Sequence, residues 1–314
     1  MNAEIQTMTL FKNCEKTLQN AIPCVGIGLH SGQKIHMTIK PAAVGTGILF
    51  VRTDILDKDN QIPAKYDYIV DTRMCSCLGN KDGVLVGTIE HLMGALNGLG
   101  ITNAVIEVDG PEVPLMDGSA SDFVTLIECA GILNQDAPLK AVKILKEVSF
   151  DDGKGATVSL YPADSGLELN FMIDFPTSRV IGRQEYSISL TKDNFKDSIA
   201  YARTFGFAQD IEMLRSMGLA RGGSLENAVV VDGNKVLNPE GTRSENEFVV
   251  HKTLDAVGDL YQLGMPIIGC FEGSKSGHMH TNMLLRQLMA DKDAYEIVIL
   301  DDYDPYRYKE PKIA

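Results

Sequence analysis

Apolar residues at Phe248, Leu254, Val257 and Leu260 recur at near-helical spacing. Just ahead of them, Ser244-Glu-Asn-Glu247 reads as a capping box, so a helix is predicted from near Glu245. A shorter helix is predicted from near Ile89, with Thr88 as its N-cap. Its Gly94 and Gly98 lower helix propensity and suit a place of close packing. Two further stretches, 39–50 and 160–171, each read as a pair of strands joined by a Pro/Gly turn.

The pattern is written twice. Ile39, Pro41, Ala42, Gly45, Ile48 and Phe50 recur at one constant offset as Leu160, Pro162, Ala163, Gly166, Leu169 and Phe171. His91-Leu-Met-Gly94-Ala-Leu96 aligns with Asp255-Ala-Val-Gly258-Asp-Leu260. Both copies then reach a Leu-Gly pair, the expected helix end with glycine as a left-handed cap. Strand-like runs follow at 104–108 and 267–271. Two matched pairs in the same order predict an α+β chain of two similar domains, 1–138 and 139–314. The join falls near 137–143, where Asp136-Ala-Pro138 breaks the pattern. Residues 188–232 have no counterpart in the first half and read as an insertion.

Composition narrows the function. The 314 residues carry 29 Lys and Arg against 42 Asp and Glu, a net charge of −13. A nucleic-acid partner is not expected, because such partners need a basic face. No apolar run approaches the ~18 residues of a membrane span, and no integral membrane segment is expected. Met1-Asn-Ala-Glu-Ile-Gln lacks the marks of a secretory leader, and six cysteines are too few for a disulfide scaffold. Reduced thiols and a cytoplasmic location follow as expectations; Cys75 and Cys77 have no second pair to form a structural zinc finger.

Candidate chemistry sits on the duplicated helices. His251 and Asp255 are four apart and share a helix face. Alone, such a pair is more often a surface contact or a partnered core histidine. The repeat changes the weighing, because His91 aligns with Asp255. If the halves pack with pseudo-twofold symmetry, His91, His251 and Asp255 converge. Two imidazoles and a carboxylate suit zinc, with a fourth position left for water, as in catalytic sites. Iron(II) suits the same donors. Glu90 points about 100° away from His91 on the helix, so it is placed to take a proton rather than to bind the ion.

Lys275-Ser-Gly277-His278-Met-His280 offers two histidines, either of which could protonate a leaving amine with Asp259 keeping it charged. In Ala202-Arg-Thr204-Phe205-Gly-Phe207 a hydroxyl could donate to an oxyanion, although a strand with core aromatics explains the segment as well. Gly26, Gly28 and Gly32 are too sparse for a dinucleotide fingerprint. His-Glu-x-x-His spacing is absent at Glu90-His91, which argues against a zinc peptidase.

These stretches, together with Asp71-Thr-Arg-Met-Cys75-Ser-Cys77, Pro111-Glu-Val-Pro-Leu-Met-Asp-Gly-Ser119 and Glu247-Phe-Val-Val-His251, resemble the UDP-3-O-acyl-N-acetylglucosamine deacetylases. These are the zinc amidohydrolases of lipid A synthesis. The resemblance runs from near residue 25 to near 282. It implies helices packed between two sheets, with a βαβ insert in the second domain forming an apolar acyl passage. It implies zinc on His91, His251 and Asp255, with Glu90 as base, His278 as acid and Asp259 as its support. Thr204 would serve the oxyanion and Lys252 the nucleotide diphosphate, while Phe205 and Phe207 would pack on substrate. Ile211, Leu214, Met217, Leu219 and Ala220 would line the passage, with Cys75 at its mouth. The implied partner is a small acylated UDP-sugar, handled by a monomer. A module that binds this ligand without turnover, or another zinc amidohydrolase, are the alternatives. The run from Asp301 to Tyr308 matches no motif.

Overall fold

In a computed structural model the chain is described over residues 11 and 13–300, so the Tyr-rich run lies outside the described residues. The fold is α+β. The first sheet contains β1 (Ile22–Ile27), β2 (Lys34–Pro41), β3 (Ile48–Arg52), β4 (Gln61–Pro63) and β5 (Ala104–Val108), in the order β1-β2-β5-β3-β4. The second contains β6 (Val148–Asp151), β7 (Thr157–Tyr161), β8 (Leu167–Phe175), β9 (Gly182–Ser189) and β10 (Ile267–Ser274). Its order, β6-β7-β10-β8-β9, is the same. In both sheets the central strand is antiparallel to one neighbour and parallel to the other. Lys140–Ile144 extends the second sheet beside the start of β10, and Tyr295–Ile299 pairs outside it.

The duplication extends to the helices. In each half one helix precedes the central strand and one follows it. These are α1 (Glu90–Gly98) and α2 (Ser121–Ala130) around β5, and α5 (Glu247–Leu260) and α6 (His278–Ala290) around β10. Every residue of α1 is buried, and so is every residue of α5 except Lys252. A helix buried all round must be covered on every side. Here the cover is the partner helix and the sheets, whose inward residues, such as Ile35, Ile39, Leu160 and Phe271, are sealed in one continuous core.

The strand ladders correct the sequence alignment by two residues. Ile39 and Phe50 both face Ile106, while Leu160 and Leu169 both face Phe271. Phe50 is thus equivalent to Leu169, not to Phe171. The connecting loop is shorter in the second half. Because the side-chain period of a strand is two, the slip leaves the buried face unchanged.

Both predicted caps are also corrected. Thr88 does not cap α1: its φ is +55° and its hydroxyl donates to Glu112 Oε2 at 3.1 Å. The helix after Ser244 begins at Glu247, behind Asn246, with no side-chain cap. The Glu247 carboxylate is fully buried and instead accepts from Arg203 N, Arg203 Nε and Arg243 N at 3.0, 2.9 and 2.6 Å. A buried guanidinium demands an anionic partner more strongly than a helix end demands a cap. The left-handed glycines at the helix ends are present, with φ of +71° at Gly100 and +78° at Gly264.

The crossing of α1 and α5 places the site. A Cβ on Gly258 would stand 2.0 Å from the Glu90 carbonyl oxygen, and one on Gly94 would stand 2.9 Å from Leu254 Cδ1. Asn97 Nδ2 donates to Val257 O at 3.0 Å, further locking the crossing. The predicted insertion holds α3 (Lys192–Ser198), whose Phe195 fills the space over Gly98. It then forms a parallel pair, Phe205–Phe207 with Val229–Asp232, connected through α4 (Ile211–Ser216).

Candidate metal centre and active site

Close packing at the two glycines brings the N-terminal turn of α1 against the middle of α5. His91 from α1 meets His251 and Asp255 from α5, and one ligand atom from each lies within 4.8 Å of the others. The Nε2 atoms of His91 and His251 stand 3.5 and 3.4 Å from Asp255 Oδ1. Those separations are long for hydrogen bonds, and Asp255 Oδ1 is a buried carboxylate oxygen with no hydrogen-bond partner. A buried anionic oxygen without a donor is costly unless a cation completes it.

The protonation states fit the same purpose. Burial pushes the His251 pKa down to about 4, so the ring is neutral at pH 7. His251 Nδ1 lies 3.1 Å from the Ala202 carbonyl, an acceptor only, which assigns the proton to Nδ1 and leaves the Nε2 lone pair free. Burial alone would raise the Asp255 pKa, but the adjacent His251 ring, which can charge only in acid, and the Lys252 ammonium outweigh it and hold the carboxyl well below its ordinary value. Lys252 Nζ donates to Asp255 Oδ2 at 2.7 Å, so one carboxylate oxygen takes the lysine and the other faces the imidazoles. The donor set, two imidazoles and one carboxylate, fits a divalent metal.

Two further groups face this centre. Glu90, the first residue of α1, is buried, and its Oε2 accepts the Ser76 N–H at 3.1 Å. Burial raises its pKa, although His278 and His91 oppose the rise. His278 opens α6, and its Nε2 is 3.9 Å from Glu90 Oε1 and 4.0 Å from Asp255 Oδ2. Burial would lower the His278 pKa, but the Asp259 carboxylate, 2.7 Å from Nδ1, and Glu90 carry it up to about 9. Asp259 is held in turn by Ser76 Oγ at 2.6 Å and Gln262 Nε2 at 3.1 Å. His280 sits elsewhere. Its Nδ1 accepts the Gly277 N–H and its Nε2 lies 3.3 Å from Asp152 Oδ2, so of the two histidines left open by the sequence it is His278 that reaches the centre.

Beside the centre lies an apolar cavity of about 330 Å³. Thr204, Phe205, Phe207, Ile211, Leu214, Leu219 and Ala220 all line it. The Phe205 ring is 6.1 Å from that of His251, which joins the cavity to the metal centre. Two expectations are corrected. Met217 is not in the lining and is 57% exposed, because it ends the short helix α4 on its outer side. Cys75 is buried beneath Gly87, and its neighbour Met74 supplies the wall instead.

A family model described as UDP-3-O-acyl N-acetylglycosamine deacetylase matches residues 15–290. The chain belongs to this family. Among curated relatives, proteins named UDP-3-O-acyl-N-acetylglucosamine deacetylase from Hahella chejuensis and Pseudomonas entomophila are each 49% identical, and one from Chromohalobacter salexigens is 48% identical. Each alignment covers 96% of this chain and 99% of the relative. Among the described residues no helix is long and apolar enough to cross a membrane.

Several residues in and around this family's site escaped sequence reasoning. Ser76 serves Glu90 through its N–H and Asp259 through its hydroxyl. Gln262, the Ala202 carbonyl and the Arg203–Glu247 pair act one layer further out. Gln262 lies one turn after Asp259, a spacing that could have drawn notice. Nothing local marks Ser76 or Ala202, whose partners are far away in sequence.

Proposed function

We propose that this chain hydrolyses the acetamide at the sugar C2 of a UDP-3-O-acyl-N-acetylglucosamine, giving acetate and the free amine. Zn²⁺ is the metal we assign to His91, His251 and Asp255, with Fe²⁺ as the alternative. The observation that carries the reading is the buried His-His-Asp group flanked by Glu90 and His278. A divalent cation held there supplies Lewis acidity, bringing the pKa of water toward ~7 and polarising a carbonyl.

The chain's own groups supply the proton traffic. Glu90, with its raised pKa, takes a proton from the attacking water. The hydroxyl goes to the acetamide carbon, whose bond to nitrogen then breaks. His278, charged at neutral pH through Asp259, gives its proton to the departing nitrogen. Thr204, on the cavity wall next to Phe205, offers a hydroxyl to the developing oxyanion. The apolar cavity takes the acyl chain, whose burial selects acylated sugars over bare ones.

We assign the chain two domains, 1–138 and 139–314, a cytoplasmic location and a monomeric state. A site assembled wholly within one chain supports the last. The test is incubation of the zinc-loaded protein with the acylated UDP-sugar while acetate is measured. Stoichiometric binding without acetate release would turn the reading into that of a binding module.

A further inference from the structure

The segment after β5 carries Glu112, a buried carboxylate outside the reacting centre. Its Oε1 accepts the Ser31 N–H at 2.6 Å, and its Oε2 accepts the His30 N–H at 3.0 Å and the Thr88 hydroxyl at 3.1 Å. Two successive backbone N–H groups aimed at one carboxylate form an anion-holding concavity. The fit is tight, since a Cβ on Gly28 would lie 2.1 Å from Glu112 Oε1.

Glu112 stands between two functional segments. On one side Gly87 N–H donates to Pro111 O at 2.9 Å and Val113 N–H to Gly87 O at 3.0 Å, which sets Thr88 beside the carboxylate. Thr88 leads directly into Ile89, Glu90 and His91. Its φ of +55° is one that β-branched residues avoid, so the surroundings must hold it there. On the other side Leu29 and His30 line the acyl cavity. They are joined to the insert by Gly222 N–H to Leu29 O at 3.0 Å and Ala220 N–H to His30 Nδ1 at 3.3 Å.

We propose that Glu112 is a positioning residue that ties the start of α1, with Glu90 and His91, to the cavity wall at residues 29–31. The inference rests on the deacetylase reading above. Holding Thr88 in its left-handed conformation aims the first turn of α1, and the same carboxylate fixes the wall that receives the acyl chain. The tie thus sets the distance between the chain-binding cavity and the reacting amide.

The test compares T88S, T88V, E112Q and the T88V/E112Q double variant for kcat, KM, bound zinc, thermal midpoint and amide exchange at residues 30 and 31. T88V keeps the shape of the side chain and removes the donor, so kcat should fall by roughly 10–100-fold with KM unchanged, as for a small misplacement of a reacting group. T88S should restore the wild-type rate. E112Q leaves one acceptor oxygen in place of two and sets an NH2 group against the His30 or Ser31 N–H, so kcat should fall, KM for the acylated sugar should rise, and exchange at residues 30 and 31 should quicken. The double variant should match E112Q alone, because the two residues act through one bond. The proposal is overturned if T88V turns over like wild type, if the two losses multiply, or if they follow loss of zinc or of folding. Absence of acetate release by the wild type would instead remove the deacetylase reading. In that case unchanged exchange in E112Q would remove the tie, and faster exchange would uphold it.

Discussion

Gly258→Ala is the sharpest probe of how packing builds this site. The added methyl would sit 2.0 Å from the Glu90 carbonyl oxygen, 2.8 Å from its carbon and 3.0 Å from Gly94 N, all backbone atoms. Ordinary contact begins near 3.4 Å, so α1 and α5 must separate or slide by more than an ångström at this point. Overpacking of this kind costs roughly 1–3 kcal/mol and more when backbone must move, against a gain of ~1 kcal/mol in helix propensity. A net loss of about 2 kcal/mol would lower the midpoint of thermal unfolding by about 4 °C in a chain of this size. The strained atom belongs to Glu90 itself, so turnover should fall by roughly tenfold or more even at temperatures where the variant is folded. Gly94→Ala is the control. Its methyl would crowd Leu254 Cδ1, at 2.9 Å, the end of a flexible side chain, and would stand at ordinary contact, 3.5 and 3.8 Å, from the backbone atoms Leu254 O and Gly258 N, so stability should change little. Thermal denaturation and acetate release measured side by side decide the matter. If Gly258→Ala matches wild type in both, or Gly94→Ala proves the more damaging, the account of the helix crossing is wrong.

Other outcomes follow from the same geometry. Glu90→Ala should keep bound zinc near one equivalent and lose most turnover, about 10²–10⁴-fold for a missing general base; normal turnover would reject the assignment. Asp259→Asn should move the alkaline limb of the pH–rate profile to lower pH. His278 keeps its proton until the pH passes about 9, and the loss of the neighbouring carboxylate brings that point down. By the same linkage, the His278–Asp259 pair stabilises the fold fully below pH 6.5 and ceases to do so as pH rises past about 9. An unmoved limb in Asp259→Asn would show that another group sets it. Glu247→Gln should destabilise the protein by about 3 kcal/mol, because the buried Arg203 loses its main anionic partner; an unchanged thermal midpoint would contradict this.

Much of the architecture was written in local pattern. Alternation and turn residues marked the strand pairs, and Gly100 and Gly264 adopt the left-handed ends expected after the two central helices. The repeat placed His91 opposite Asp255, and with the i, i+4 partner His251 this was enough to name a metal group on grounds of residue type and spacing alone. Caps were misread because Thr88 and Glu247 spend their side chains on Glu112 and Arg203, partners that local sequence cannot reveal.

What the chain order could not decide is who stands beside whom once the elements pack. His278 and His280 are equivalent by composition and neighbourhood. Only the packing of α6 between α5 and β6 sends the first to Asp259 and the second to Asp152. Ser76 reads as an ordinary loop serine until Glu90 and Asp259 close on it. Periodicity and turn chemistry act over a few residues and are legible in order along the chain. Burial, and with it the pKa of each buried group and the choice of its partner, is set by contacts between elements distant along the chain, as between Ser76 and Asp259, and exists only once those elements have packed.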